Sequence, residues 1–243
     1  MYIQGQYVTQ NTEKALYWLE KAAAQGVEMA KAYVSKIRAE ESNGEKNLFE
    51  EALSLYKEGH LKEALEKFTV LAEQGHAMSQ FIVGNMYDFG ESVPRDYERA
   101  FLWYIKAAEQ GHPDSEYNLG VFYADGKGTE RNYEKAIEWF TKAANRGNQK
   151  AKQEVISLSH YLAEKYNNEG FDAFDNQRVN DAIELFELSA KYGNTNAYLN
   201  LGILFMQGKV VEKDIEKAKH YLSKAIERGN LQAKQIFDML ENQ

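Results

Sequence analysis

Five histidines, His60, His76, His112, His160 and His220, are the side chains of this chain best suited to bind a metal or move a proton near neutral pH. No two of them form a His-x-x-x-His pair, and none lies in a glutamate-containing zinc motif, so no helix face gains a ligand set. His76 and His112 both follow a glycine that recurs along the chain, which is a structural position. Gly126-Lys127-Gly128-Thr129 holds the residue types of a phosphate loop. It lacks the Gly-x-x-x-x-Gly-Lys-Ser/Thr spacing and a preceding strand, so it reads as an ordinary loop. Asp172 and Asp175 lie on either side of Phe174; acid–base work would require one of them to carry a raised pKa in a closed pocket. With no cysteine there is no disulfide framework and no thiolate site. The chain therefore reads as a non-enzyme with no metal and no cofactor.

The 243 residues are 44% hydrophobic and 27% charged, enough to bury a core. Two prolines, Pro94 and Pro113, leave long stretches free of helix breakers. The net charge of −8 lacks the basic footprint that phosphate backbones or anionic lipid surfaces demand, so neither nucleic acid nor a membrane surface is an expected partner. The longest apolar run, Leu201 to Met206, is far short of a membrane span. The first five residues carry neither the basic start nor the apolar stretch of a signal peptide, which favours the cytoplasm. Residues upstream of Met1 would leave a periplasmic or secreted location open.

One glycine recurs: Gly26, Gly75, Gly111, Gly147, Gly193 and Gly229, at intervals of 49, 36, 36, 46 and 36 residues. Eleven residues before each stands an alanine: Ala15, Ala64, Ala100, Ala136, Ala182 and Ala218. Three before stand Ala23, Ala72, Ala108, Ala144 and Ala190, then Ile226. Eight before stand Trp18, Trp103, Trp139 and Tyr221, whereas two units carry Phe68 and Phe186 one place later. Offsets of 3, 4, 7 and 8 share one helix face. The spacing thus predicts a helix in each unit, with alanines for close approach, an aromatic beside them, and a left-handed glycine at the stop.

A preceding helix is legible in three units as Phe81–Tyr87, Tyr117–Tyr123 and Leu199–Phe205. Gly84, Gly120 and Gly202 sit in its middle, and Gly90, Gly126 and Gly208 follow six residues later. A mid-helix glycine costs about 1 kcal/mol relative to alanine, so three in register imply a helix crossing too close for a side chain.

Leu119, Gly120, Tyr123, Gly126, Lys135, Ala136, Trp139, Phe140, Lys142, Ala143, Ala144 and Gly147 together resemble the Sel-1-like repeat family. Residues 48–75 and 160–193, with Ala52, Ala64 and Phe68 or Gly170, Ala182 and Phe186, resemble tetratricopeptide repeats, with a loop four residues shorter. The resemblance implies an all-α fold, a right-handed α/α superhelix (solenoid) of helix–turn–helix repeats over residues 1–243. Units are expected at about 1–26, 48–75, 77–111, 113–147, 160–193 and 195–229. Extra helices are expected at 27–40 and 149–158, a polar break at 41–47, and a capping helix at 231–240. That makes about fourteen helices. The order of long unit, extra helix and short unit occurs twice, which suggests an internal duplication. Tyr2, Gly5 and Val8 resemble the end of a first helix and its loop, leaving the first unit uncovered and a homo-oligomer possible through that edge.

In the tetratricopeptide family the groove-facing positions lie six and three before the mid-helix glycine and one and four after it. Carried over, they are Lys46, Phe49, Leu53 and Tyr56; Met78, Phe81, Asn85 and Asp88; Asp114, Tyr117, Val121 and Ala124; Glu164, Asn167, Phe171 and Phe174; and Asn196, Leu199, Ile203 and Met206. The set is apolar and aromatic, with scattered asparagine and acid. The family's carboxylate clamp is matched only at Asn85, so an acidic tail is not the expected ligand. Phe81 and Tyr117 share one repeat position, which serves packing and groove alike; Phe171 and Phe174 stand among polar neighbours. The expected partner is a protein or peptide, apolar or basic, anchored on aromatics.

The resemblance implies a protein–protein interaction scaffold or adaptor, in a bacterial signalling, envelope or host-interaction pathway. A dedicated inhibitor or immunity protein that neutralises one toxin is a second reading. A secreted or periplasmic host-interaction factor is a third.

Overall fold

The structure is a computed structural model that describes the backbone of residues 6–241, and the side chains of residues 14–40 and 42–241. Tyr2 and Gly5 lie outside the described residues. The described residues form twelve α-helices and no strand. They fall into two compact units, residues 1–112 and 113–243.

The first unit holds α1 (Gln6–Ala24), α2 (Glu28–Glu58), α3 (Leu61–Glu73), α4 (Ala77–Phe89) and α5 (Tyr97–Glu109). The second holds α6 (Pro113–Asp125), α7 (Tyr133–Asn145), α8 (Gln149–Asp175), α9 (Val179–Lys191), α10 (Thr195–Gln207), α11 (Ile215–Glu227) and α12 (Leu231–Glu241).

Each recurring glycine has a positive φ, between 83° and 108°. The residue after it donates its backbone N–H to a carbonyl five positions back, as His76 does to Leu71 and Asn148 to Ala143, which closes a Schellman turn. The same residue then caps the next helix: the side chains of His76, Asn148 and Asn194 accept from backbone N–H groups in the first turn. One residue thus ends one helix and starts the next, which keeps these connections to a few residues. His76 is a cap of this kind, its Nδ1 also 2.8 Å from Ser79 Oγ. In the long units Asp96, Asn132 and Asp214 cap the second helix in the same way.

Two expected breaks do not occur. Residues 28–40 and 149–158 are the N-terminal parts of α2 and α8, each continuous with the first helix of the following short unit, and Val27 is the extended residue before α2. That fusion accounts for twelve helices rather than fourteen. The polar run 41–47 contains no proline, so every backbone N–H stays available for the helix ladder. Gly44 costs about 1 kcal/mol within the helix. Burial at both ends, of Ala30 and Val34 on one side and Ala52 on the other, holds the exposed middle in place. α1 likewise begins at Gln6, so Val8 lies in a helix and not in the expected loop.

The core has a repeated knob. Seven residues before the closing glycine stand Phe68, Tyr104, Phe140, Phe186 and Leu222, and all are buried. A Cβ on Gly84 would come within 2.7 Å of Tyr104, one on Gly170 within 2.8 Å of Phe186, and one on Gly202 within 2.7 Å of Leu222; Gly120 faces Phe140 in the same way. The mid-helix glycines are therefore sockets for these knobs. The aromatics eight before the glycine, expected to fill this space, are only half-buried at Trp103 and Trp139. Each instead lies beside a lysine of its own helix, with Lys106 Nζ 4.1 Å and Lys142 Nζ 3.6 Å from the ring centroids.

Candidate partner-binding groove

Most of the expected groove residues are half-buried, and Phe171 is 45% exposed. Their surroundings differ between the units. In residues 1–112, Phe49 packs edge-on against Phe68 at 5.7 Å and His76 at 4.9 Å between centroids. Phe81 lies 4.7 Å from His112. Leu53 and Tyr56 pack on the cluster around Ala52 and Phe68, and the Tyr56 hydroxyl donates to Glu91 at 2.7 Å. Tyr104 donates to Asn85 at 2.7 Å and to Asp88 at 3.2 Å, so both polar residues hold the knob of their own unit.

In residues 113–243, Tyr117 packs on Phe140 at 5.4 Å, and Val121 on the same cluster. Met206 is half-buried near the end of α10. Phe171 likewise packs edge-on against Phe186 at 5.1 Å and Phe174 on the same cluster, but with Asn167 they differ in what they border. They line depressions that open between α8 and α10. One, of about 160 Å³, is walled by Phe171, Phe174, Phe186, Ile203 and Leu204, with Asn200 and Gln207 at its edge. The other, of about 870 Å³, is lined by Glu164, Asn167, Asn168, Asn194 and Asn196 among others. The two share the same pair of helices. Asn167 of the one and Phe171 of the other are one turn apart on α8, as Asn196 and Asn200 are on α10, so the two follow each other along one strip, the apolar slot toward the α8 C-terminus and the amides toward its middle.

The sequence pointed to Phe171, Phe174 and Asn167 but not to their neighbours Asn168, Asn194 and Asn200. These come from register positions one place away from the carried-over pattern, or from the loop. A further depression of about 900 Å³ lies at the loop joining α10 to α11, where Lys213 and Lys217 mix with Glu187 and Glu212. Among the described residues, no three His, Asp or Glu side chains converge on a potential metal position. No helix among them is long and apolar enough to cross a membrane.

Burial raises the pKa of several tyrosines of this unit. Tyr166 and Tyr221 are pushed well above the ordinary value of 10.0, first by burial and then by donating to Glu134 and Glu187. Tyr117 and Tyr192 move the same way, burial again being the main cause. The Tyr166–Glu134 bond ties α8 to α7. Tyr221–Glu187 ties α11 to α9, so neighbouring second helices are joined across repeats.

Paired helices closed by a glycine turn, with a knob in a socket, define an all-α repeat protein of the α/α solenoid class. The Sel1 repeat model matches residues 1–27, 77–112, 113–148 and 195–230, more than half of the chain. The chain belongs to the Sel1 repeat family. The two short units, 48–75 and 160–193, fall between the matched segments.

Among solved structures, a Sel1 repeat protein from Oxalobacter formigenes is 28% identical, covering 76% of this chain and 72% of its own, with a TM-score of 0.43. A protective antigen of uropathogenic Escherichia coli with an SLR fold is 23% identical over 93% of this chain; the match spans 59% of that protein's length, with a TM-score of 0.43. An immunity protein from Pseudomonas aeruginosa is 18% identical, covering 78% of this chain and 68% of that one, with a TM-score of 0.32. No curated protein sequence matches the chain.

Proposed function

We propose that this protein is an interaction scaffold whose α8–α10 strip holds a segment of a partner protein. Sel1 repeat proteins generally serve as protein-interaction scaffolds, and this chain shares their repeats. One observation carries the assignment to this strip: Phe171 is 45% exposed at the rim of an apolar slot. Exposed aromatics at the mouth of a pocket are the groups that anchor partners. At the same repeat position the other units carry Leu53, Asn85, Val121 and Ile203, so the aromatic is particular to this unit, where it also packs edge-on against Phe186 at 5.1 Å.

The test is affinity capture from the native cell lysate, with the full chain and its Phe171→Ala and Asn167→Ala variants as baits. Partners retained by the wild type and lost by both variants support the reading; equal capture by all three contradicts it. Affinity then separates a scaffold from a dedicated inhibitor. Several partners at micromolar Kd, about −8 kcal/mol, fit a scaffold, and one stoichiometric partner at nanomolar Kd, about −12 kcal/mol, fits an inhibitor.

A further inference from the structure

We infer that the strip selects an extended peptide with a bulky apolar side chain in the slot and a lysine or arginine three or four residues away, facing Glu164. This rests on the scaffold reading and specifies its ligand.

The slot sets the first requirement. Its walls are aromatic and aliphatic, and its volume of about 160 Å³ suits one large side chain. Two amides, Asn200 and Gln207, stand at its edge, where they can meet peptide groups that enter with that side chain.

Charge sets the second. Residues 160–175 of α8 carry Glu164, Glu169, Asp172 and Asp175 against one lysine, Lys165, and α10 carries no charged residue. Of the side chains lining the two depressions, Glu164 is the carboxylate, and none is a lysine or arginine. His160 Nε2 lies 3.4 Å from Glu164, but both are largely exposed, so the carboxylate stays accessible to a ligand cation. An acidic peptide would meet like charge along α8.

Geometry sets the spacing. Glu164 precedes Phe171 and Phe174 by seven and ten residues, which is about 10–15 Å along a helix. An extended peptide at about 3.3 Å per residue covers the shorter distance in about three residues, and the slot's midpoint between the two rings, about 13 Å along, in about four. Over this length the amides of Asn167, Asn168 and Asn196 line the floor and pair with peptide N–H and C=O groups.

The experiment uses the full chain and fluorescein-labelled nonapeptides of glycine and serine. Each carries Phe, Leu or Ala at one anchor position, and Lys, Ser or Glu two, three or four residues away. Fluorescence anisotropy reads binding. Phe and Leu peptides are expected to bind at least tenfold more tightly than Ala peptides. Lys at three or four residues is expected to exceed Glu severalfold, and Glu164→Gln should remove that difference. Phe171→Ala, which opens the slot, and Ile203→Trp, which fills it, should each erase the apolar preference while the helical circular dichroism persists. If the tryptophan variant does not fold, the alanine variant decides alone. Equal binding of Phe and Ala peptides overturns the inference, as does a preference that survives in Phe171→Ala or no binding at about 1 mM protein. Lysate capture that still depends on Phe171 would then leave the scaffold reading standing without this ligand. Capture indifferent to Phe171 removes that reading independently of the peptides.

Discussion

Glu116 is 1% exposed, and both of its carboxylate oxygens accept from Arg146 Nε at 3.1 Å. The same two repeat positions hold Gln80 and Gln110 in the preceding unit, joined by a 2.7 Å bond from Gln110 Nε2 to Gln80 Oε1. In the last unit they hold Tyr198 and Arg228, with the guanidinium 4.9 Å from the ring. Position is kept while chemistry changes, so each pair is a local fastening and not a catalytic group. Removing Arg146 strands a buried carboxylate, and Arg146→Ala should cost about 3 kcal/mol in urea denaturation. The double substitution Glu116→Gln/Arg146→Gln copies the neighbouring unit and should lie within about 1 kcal/mol of wild type. Gln177 gives a second test at this scale. It sits at φ 60°, where the equivalent residue of the first short unit is Gly59 at φ 86°. A side chain costs about 1–2 kcal/mol in that region, so Gln177→Gly should stabilise the protein by about 0.5–1 kcal/mol. Neither pair nor strain is legible from single residue types. The pairing joins positions 30 residues apart, and the left-handed φ shows only once α8 and α9 are placed.

The helices that the sequence revealed best were those whose period and punctuation agreed. α5, α7 and α11 each begin after a capping Asp or Asn and end before a left-handed glycine. The sequence pattern breaks the long helices α2 and α8 because 41–47 is polar and both regions sit between two differently spaced repeats. Polarity alone does not stop a helix, and packing at the two ends decided it. The mid-helix glycines were legible as sockets, but their knob was assigned one place too early. The tryptophans are the larger side chains, whereas Tyr104 and Phe140 beside them are the buried residues. Gly120→Ala tests the socket. The new Cβ would overlap the Phe140 ring. The gain in helix propensity of about 1 kcal/mol opposes an overpacking cost of about 1–3 kcal/mol. A net loss of up to about 2 kcal/mol by thermal or urea unfolding is expected, and a gain would contradict the knob-and-socket account.

At the scale of the molecule, tyrosines join repeats of the second unit, and this makes stability depend on alkali. The folded pKa values of Tyr117, Tyr166, Tyr192 and Tyr221 lie above the unfolded value of 10.0, burial being the first cause in each. The folded state therefore keeps its phenolic protons where the unfolded chain releases them. The contribution is fully present below pH 10 and is lost as pH rises from there through the folded values. Urea midpoints followed by circular dichroism should hold steady to about pH 9 and fall beyond about pH 10. Tyr166→Phe should make that fall shallower.

Family and fold were legible from a dozen residues repeated in register. The strip was only half legible: Phe171, Phe174 and Asn167 could be carried over from the repeat, but the slot exists because α10 brings Ile203 and Leu204 opposite them. The most direct test of the scaffold account is photocrosslinking in the native cell, with benzoylphenylalanine placed singly at Phe171, Asn200, Lys191 or His220. Partner adducts at positions 171 and 200, with none at 191 and 220 on the second helices, are the expected result. Adducts confined to 191 or 220 would place the binding surface elsewhere and contradict it.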